Sequence, residues 1–295
     1  WLLTTNGVSH GLELAVGCLT KPGDACWMES PSYFLAYQIF ADHHLKVVGA
    51  PSDAHGLDVE ALARCLADGT LGPPPAVLYL VPTHGNPTGV TLSRERREAL
   101  LRLARQYGFV VLADEVYALL DWTAPDQALP PRMLALDAPH RKRVQQEAEA
   151  KAVASSGGAP SAVRAARLSG GDTSYTPNVA RLSGGNGGNG GSAEGATPGA
   201  AESAAEAAAE AAAEEAEACG VVISVSSHTK ILAPGIKLGW LEASPAMLER
   251  LACRGYLNSG GSVAPFTSEV VAGLLASSGG GGALRCVGRG RCSII

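Results

Sequence analysis

Five polar side chains of four chemical types stand just after apolar runs in this chain. Lys230 lies in SSHTKILAPGIKLGW (226–240), preceded by Ser227 and Thr229 and followed by Ile231 and Leu232. Asp114 and Tyr117 belong to DEVY after FVVLA, Asn86 to PTHGNPTG after AVLYLV, and Tyr33 to SPSY after ACWME. A lysine, an aspartate, an asparagine and two tyrosines brought together would suit a small molecule with an aldehyde, a ring nitrogen, a ring hydroxyl and a π face. The amine must be deprotonated to attack an aldehyde, and desolvation by Ile231 and Leu232 would lower its pKa in that direction. Once released, the same amine is a base for a carbon-bound proton. An anionic carboxylate beside a ring nitrogen keeps that nitrogen protonated, which makes the ring an electron sink.

A phosphate site is foreshadowed at the other end of the chain. TNGVSHG (5–11) precedes Leu12, Ala15, Val16 and Leu19, which with Val8 recur at helical spacing. The turn should open a helix whose free N–H groups can hold a phosphate. The hydroxyls of Ser9, Ser227 and Thr229 can add donors.

These residues need a scaffold. Strands are predicted at 25–30 (ACWMES), 45–50 (LKVVGA), 76–81 (AVLYLV), 109–114 (FVVLAD), 221–226 (VVISVS) and 238–243 (LGWLEA). A helix is predicted over SRERREALLRLARQYG (93–108), where Leu100, Leu101 and Ala104 recur at helical spacing. Alternating strands and helices imply βαβ units, and the continuously apolar strands imply a sheet covered on both faces. The fold class is α/β, with a mainly parallel sheet under helices on both faces. Ligands of such sheets bind beyond the carboxyl ends of the strands, which is where the polar groups collect.

Composition bounds the rest. The chain has 295 residues, 46% of them hydrophobic, and a net charge of −5. There is no basic run or patch to suit nucleic acid or an anionic membrane surface, and no apolar run of the roughly 18 residues that span a bilayer. Cys18, Cys26, Cys65, Cys219, Cys253, Cys286 and Cys292 form no CxxC pair, and seven histidines show no paired spacing, so no metal is expected and a reducing compartment is. The expected location is the cytoplasm. The chain opens on Trp1 rather than Met, which reads as a fragment or processed product, so an organelle is not excluded. Residues 1–138 and 219–277 read as ordinary globular protein. Between them, 139–218 contains GGNGGNGGS and AESAAEAAAEAAAEEAEA, which read as an inserted, mostly disordered segment. The tail 278–295 reads as irregular.

Blander assignments compete for each residue. A lone lysine usually sits at the surface, an aspartate at a strand end is often a cap, and Asn86-Pro87 alone is a turn. Arg94 through Glu98 read as a solvated helix face, and His84 as a loop histidine. Ser227-His228-Thr229-Lys230 also fits the SxxK acyl-enzyme pattern, but neither SDN nor KTG accompanies it.

Taken together, the motifs resemble those of the pyridoxal-phosphate-dependent aminotransferases of class I/II, the fold-type I group, over nearly all of 1–138 and 219–277. The resemblance is strongest to the branch of 2-aminoadipate and valine-pyruvate transaminases. It implies the large, cofactor-binding domain of that fold, pyridoxal 5'-phosphate as cofactor, amino acid and 2-oxo acid substrates, and a homodimer for the full-length form. It further implies that Lys230 forms the internal aldimine, that Asp114 pairs with the pyridine nitrogen, and that Tyr117 and Asn86 contact the ring hydroxyl. Tyr33 would stack on the ring, and Val8, Ser9, Ser227, Thr229 and Lys237 would surround the phosphate. Two departures stand out. Lys237 occupies a position where the family usually has arginine, and the family's C-terminal domain, with the arginine that holds the substrate carboxylate, has no recognisable counterpart. A non-catalytic cofactor-binding module, such as the sensor half of a transcription regulator, is the alternative.

Overall fold

The computed structural model describes residues 2–120, 128–137, 220–258 and 263–277. The segment 139–218, expected to be a disordered insertion, and the tail 278–295 lie outside the described residues. So do Cys219, Cys286 and Cys292.

Nine strands are described: β1 (Leu2–Thr5), β2 (Ala25–Glu29), β3 (Lys46–Ala50), β4 (Ser52–Asp53), β5 (Gly56–Leu57), β6 (Val77–Leu80), β7 (Val110–Asp114), β8 (Val222–Ser227) and β9 (Gly239–Glu242). Seven of them form one sheet in the order β1-β9-β8-β7-β6-β2-β3, while β4 and β5 make a small hairpin. The pairings from β3 through β8 are parallel. Beyond β8 the sheet changes character, because β9 runs antiparallel to both β8 and β1. Each of the six strands expected from sequence is present, displaced by a residue at most at its start. The strand β1 was not anticipated: four residues of LLTT carry no periodicity that distinguishes a strand, and its pairing comes from β9 far along the chain, Leu2 with Glu242 through Thr5 with Gly239.

Alternation along the strands sends their side chains into two cores. Cys26, Met28, Val77, Tyr79, Leu112, Ile223, Val225 and Leu241 pack on one side, with Leu12, Ala15 and Val16 of helix α1 (Gly7–Leu19) and Phe40 of α2 (Phe34–Asp42). Trp27, Leu78, Leu80, Val111 and Val222 pack on the other, with Leu62 of α3 (Val59–Asp68) and Leu100 and Ala104 of α4 (Arg94–Tyr107). Burying each such side chain contributes about 1.5–3 kcal/mol. The sheet is therefore covered on both faces.

Helix α4 corrects one reading. Arg97 is not solvated but fully buried. It stands on the same stripe as Leu100, Leu101 and Ala104, and its guanidinium donates to the carbonyls of Leu92 (2.8 Å), Pro82 (2.6 Å) and Pro131 (3.1 Å) and to Thr83 Oγ1 (2.9 Å). Burial pulls its pKa down to about 10, so it stays charged at neutral pH. The reason it tolerates burial is geometric: the chain from Pro82 to Leu92 turns its carbonyl oxygens inward, and only a planar multi-donor group can serve several of them at once. That same stretch carries Asn86.

Candidate functional site

The parallel strands deliver their carboxyl ends to one edge, and there the structure gathers every residue singled out from sequence. Val8, Ser9, Tyr33, Asn86, Asp114, Tyr117, Ser227, Thr229, Lys230 and Lys237 line a single cavity of about 210 Å³, together with Asn6, Gly7, Val81 and Val116. Tyr33 follows β2, Asn86 follows β6, Asp114 ends β7, and Ser227 ends β8. The cavity lies below the roughly 300–1,000 Å³ of drug-sized ligand sites, the scale of one substituted ring.

At the β7 end of the cavity, Asp114 is buried. Burial is the main influence on its carboxyl and raises the pKa to about 6. A hydrogen bond from the Tyr79 hydroxyl to Oδ2 (2.9 Å) and one from the Val116 N–H to Oδ1 (3.4 Å) oppose that rise. Glu115 next in the chain disfavours the anion and Lys230 favours it. The Tyr33 phenol is pushed up by burial, then by the proximity of Asp114 and Tyr117. Lys230 is solvent-exposed, with Nζ 5.9 Å from the centre of the Tyr117 ring. The apolar shell expected around this amine is absent. Ile231 and Leu232 line a different, apolar groove of about 410 Å³ together with Trp240 and Val271.

At the other end of the cavity stands the start of α1. Its N-cap Asn6 makes no side-chain capping bond and its first turn has no acidic residue, so the first-turn N–H groups face the cavity end with the helix dipole's positive pole. Two glycines seat this helix. A Cβ on Gly239 would lie 2.6 Å from the Ser226 carbonyl oxygen and 2.9 Å from Gly7 Cα, so β9 and the helix start touch backbone to backbone. Gly7 itself has φ +75°, and its missing Cβ would be 4.0 Å from the Lys237 backbone. Opposite, Ser227 Oγ accepts from the Thr229 N–H (2.9 Å) and lies 2.7 Å from Thr229 Oγ1 and 3.2 Å from the Leu238 carbonyl oxygen. Its hydroxyl therefore shapes the turn that presents Lys230. Lys237 is exposed, in the left-handed region at φ 52°.

Some residues escaped sequence reading. Tyr79 was counted only as strand, although a lone hydroxyl inside AVLYLV calls for a buried partner. Arg97 does not line the cavity but anchors the loop that does. His84 is also tied in, with its ring nitrogens near the Leu120 carbonyl (3.0 Å) and Thr91 Oγ1 (3.3 Å).

Known proteins resemble this chain in sequence and in fold. An aromatic-amino-acid aminotransferase of Thermococcus litoralis is 34% identical over 123 residues, which is 41% of this chain and 30% of that protein. An uncharacterized HTH-type transcriptional regulator of Escherichia coli is 33% identical over 120 residues, covering 40% and 25% respectively. The solved kynurenine aminotransferase of Pyrococcus horikoshii, in complex with PMP, superposes with a TM-score of 0.60 over 94% of this chain and 48% of that one, at 22% identity. The chain thus spans half or less of each of these proteins. The family model for aminotransferase class I and II matches residues 2–169, more than half of the chain. This chain belongs to the class I and II aminotransferases.

Proposed function

We propose that the cavity binds pyridoxal 5'-phosphate and that the protein is an aminotransferase moving an amino group from an amino acid to a 2-oxo acid. The observation that carries this reading is the convergence of Lys230, Asp114, Asn86, Tyr117 and Tyr33 with the uncapped start of α1 around one cavity. The donor set fits that cofactor at both ends: an anion site of backbone N–H groups and Lys237, and a carboxylate and phenols at the ring end. When bound, the cofactor supplies an aldehyde and an electron-accepting ring.

The chain's own residues divide the work. Lys230 Nζ offers the amine that meets the aldehyde, and afterwards holds the proton that moves between carbons. The Asp114 carboxylate would pair with the ring nitrogen and keep its proton in place. The Tyr117 hydroxyl and the Asn86 amide offer hydrogen bonds to the ring hydroxyl, and Tyr33 covers the ring. The first-turn N–H groups at Val8 and Ser9, with Thr229 and Lys237, hold the phosphate. Substrates of the aromatic or 2-aminoadipate kind follow the relatives and the motif resemblance.

Borohydride reduction of the protein with added pyridoxal phosphate, followed by peptide mapping, tests the assignment. The label is expected on Lys230. A label on Lys237, or on no lysine, overturns it. The Escherichia coli relative favours a second reading, a cofactor-binding module of a regulator. Release of 2-oxo acid from 2-aminoadipate, glutamate, valine and aromatic amino acids separates the two, because a module binds the cofactor without turnover.

A further inference from the structure

The carboxylate that closes the ring end of the cavity is held from behind by a residue that does not line it. Tyr79, the third residue of β6, is fully buried, and its hydroxyl donates to Asp114 Oδ2 at 2.9 Å. Register explains how a residue 35 positions away meets Asp114. Tyr79 pairs with Leu112 across β6 and β7, and Leu112 and Asp114, two apart, share a face. The phenol therefore reaches diagonally along its neighbour strand. Its ring has no freedom to swing away, since Phe40 of α2 packs against it edge-on with centroids 5.4 Å apart.

We propose that Tyr79 is a positioning residue for this site: its hydroxyl fixes the orientation of Asp114 and holds the carboxylate in the anionic form that a protonated ring nitrogen requires. The assignment rests on the pyridoxal phosphate reading of the cavity. Its physical content is independent of any ligand. Around Asp114 stand Glu115 from its own strand end, Lys230 from the turn after β8, and the phenols of Tyr33, Tyr117 and Tyr79. Burial and Glu115 oppose ionisation. Among the hydrogen bonds and charges that favour it, the Tyr79 bond ranks first. Tyr79 remains a donor throughout, because burial and then Asp114 hold its phenol well above the ordinary value. Tyr79 touches Asp114, and Asp114 touches the cavity, so it acts through a second residue.

Tyr79→Phe deletes the hydroxyl and leaves the packed ring. The Asp114 carboxyl carbon can be titrated by ¹³C NMR in cofactor-free protein, with its signal assigned by its loss in Asp114→Asn. Its midpoint is expected to rise by about one pH unit, the scale of one hydrogen bond to a charged group. Replacing tyrosines by 3-fluorotyrosine, a stronger donor, is expected to move it the opposite way. This second substitution decides the matter if Tyr79→Phe does not fold, and an Asp114 midpoint unmoved by either change overturns the proposal. A parallel readout is pyridoxal phosphate affinity against pH. In Tyr79→Phe the acid limb is expected at higher pH, with affinity near pH 8 little changed. A uniform loss at every pH would mean that Tyr79 only packs, and would also overturn the proposal. Should the wild type bind no pyridoxal phosphate while the Asp114 midpoint shifts as expected, the cofactor reading fails and the Tyr79–Asp114 coupling stands.

Discussion

The Asp137 carboxylate accepts hydrogen bonds from the backbone N–H groups of Val221 (3.0 Å) and Val222 (3.3 Å), so residues 84 and 85 positions apart are in direct contact. Arg105 reinforces the junction by pairing with the other oxygen of the same carboxylate. The strand β8 is thereby tied at its start to the end of the preceding half of the chain.

Contact between these points makes the connection replaceable. Joining 138 to 219 through a ten-residue glycine-serine linker in place of 139–218 is expected to keep the fold, since shortening a loop about eightfold lowers its closure cost by about 2 kcal/mol. Thermal melts of both proteins check this. A form that unfolds or fails to express would show that 139–218 packs on the rest.

Arg97 should be far less replaceable. Arg97→Met keeps the apolar stem but removes the guanidinium that serves the carbonyls of Leu92 and Pro131, while the Pro82 carbonyl keeps the Leu92 N–H at 2.9 Å. At about 1–3 kcal/mol for each buried polar group left unpaired, the expected loss in urea denaturation is about 3 kcal/mol or more. Arg97→Lys should recover only part, for lack of the planar fork. Accelerated proteolysis between Pro82 and Leu92 is the local sign.

Glu29 predicts a pH dependence. It is buried, its carboxylate accepts from the Val81 N–H at 3.1 Å, and burial raises its pKa from 4.5 to about 7. The folded state therefore holds a proton that the unfolded state has lost between those values, and stability falls as pH rises through this window. Glu29→Gln retains an acceptor for Val81 without a charge to bury. It is expected to stabilise the protein at pH 8 by up to about 3 kcal/mol, and by much less at pH 5. Denaturation midpoints at the two pH values test this, and an equal effect at both would refute it.

Lys237→Arg tests the phosphate side. A guanidinium can make two parallel contacts with a phosphate where an ammonium makes one. Pyridoxal phosphate is expected to bind several-fold tighter in the variant, as measured by equilibrium dialysis. Unchanged affinity would place the phosphate away from Lys237.

The strands were legible because burial on both faces leaves continuous apolar runs, and the cavity was legible because such strands end at one edge. What escaped reading was whatever depends on partners distant in sequence. Arg97 looked solvated because it is charged, yet its spacing to Leu100, Leu101 and Ala104 already put it on the buried stripe. Tyr79 looked like core because the run around it is apolar, and its hydroxyl bond to Asp114 appears only once β6 and β7 are in register. Ile231 and Leu232 were expected to desolvate Lys230, but the turn after β8 sends them to another groove. The antiparallel return of β9 left no trace in LGWLEA, since a strand's direction is set by its connection rather than by its composition.

That return strand has a consequence for the order in which the molecule is made. The strand β1 and the helix α1 leave the ribosome well before β9, yet β1 lies at the sheet edge against β9, with β8 between β9 and β7. Until Gly239 has been synthesised, the start of α1 lacks the strand that it touches backbone to backbone. Everything from β2 to β7 can assemble beforehand through parallel pairings of its own. The most sequence-distant pairing in the sheet, Leu2 with Glu242, closes last, as expected of contacts that must meet the largest loop-closure cost. On the pyridoxal phosphate reading, ligand capture becomes a late event of biosynthesis, and a nascent chain halted before β9 would carry Asp114 and Asn86 without the seated α1 start.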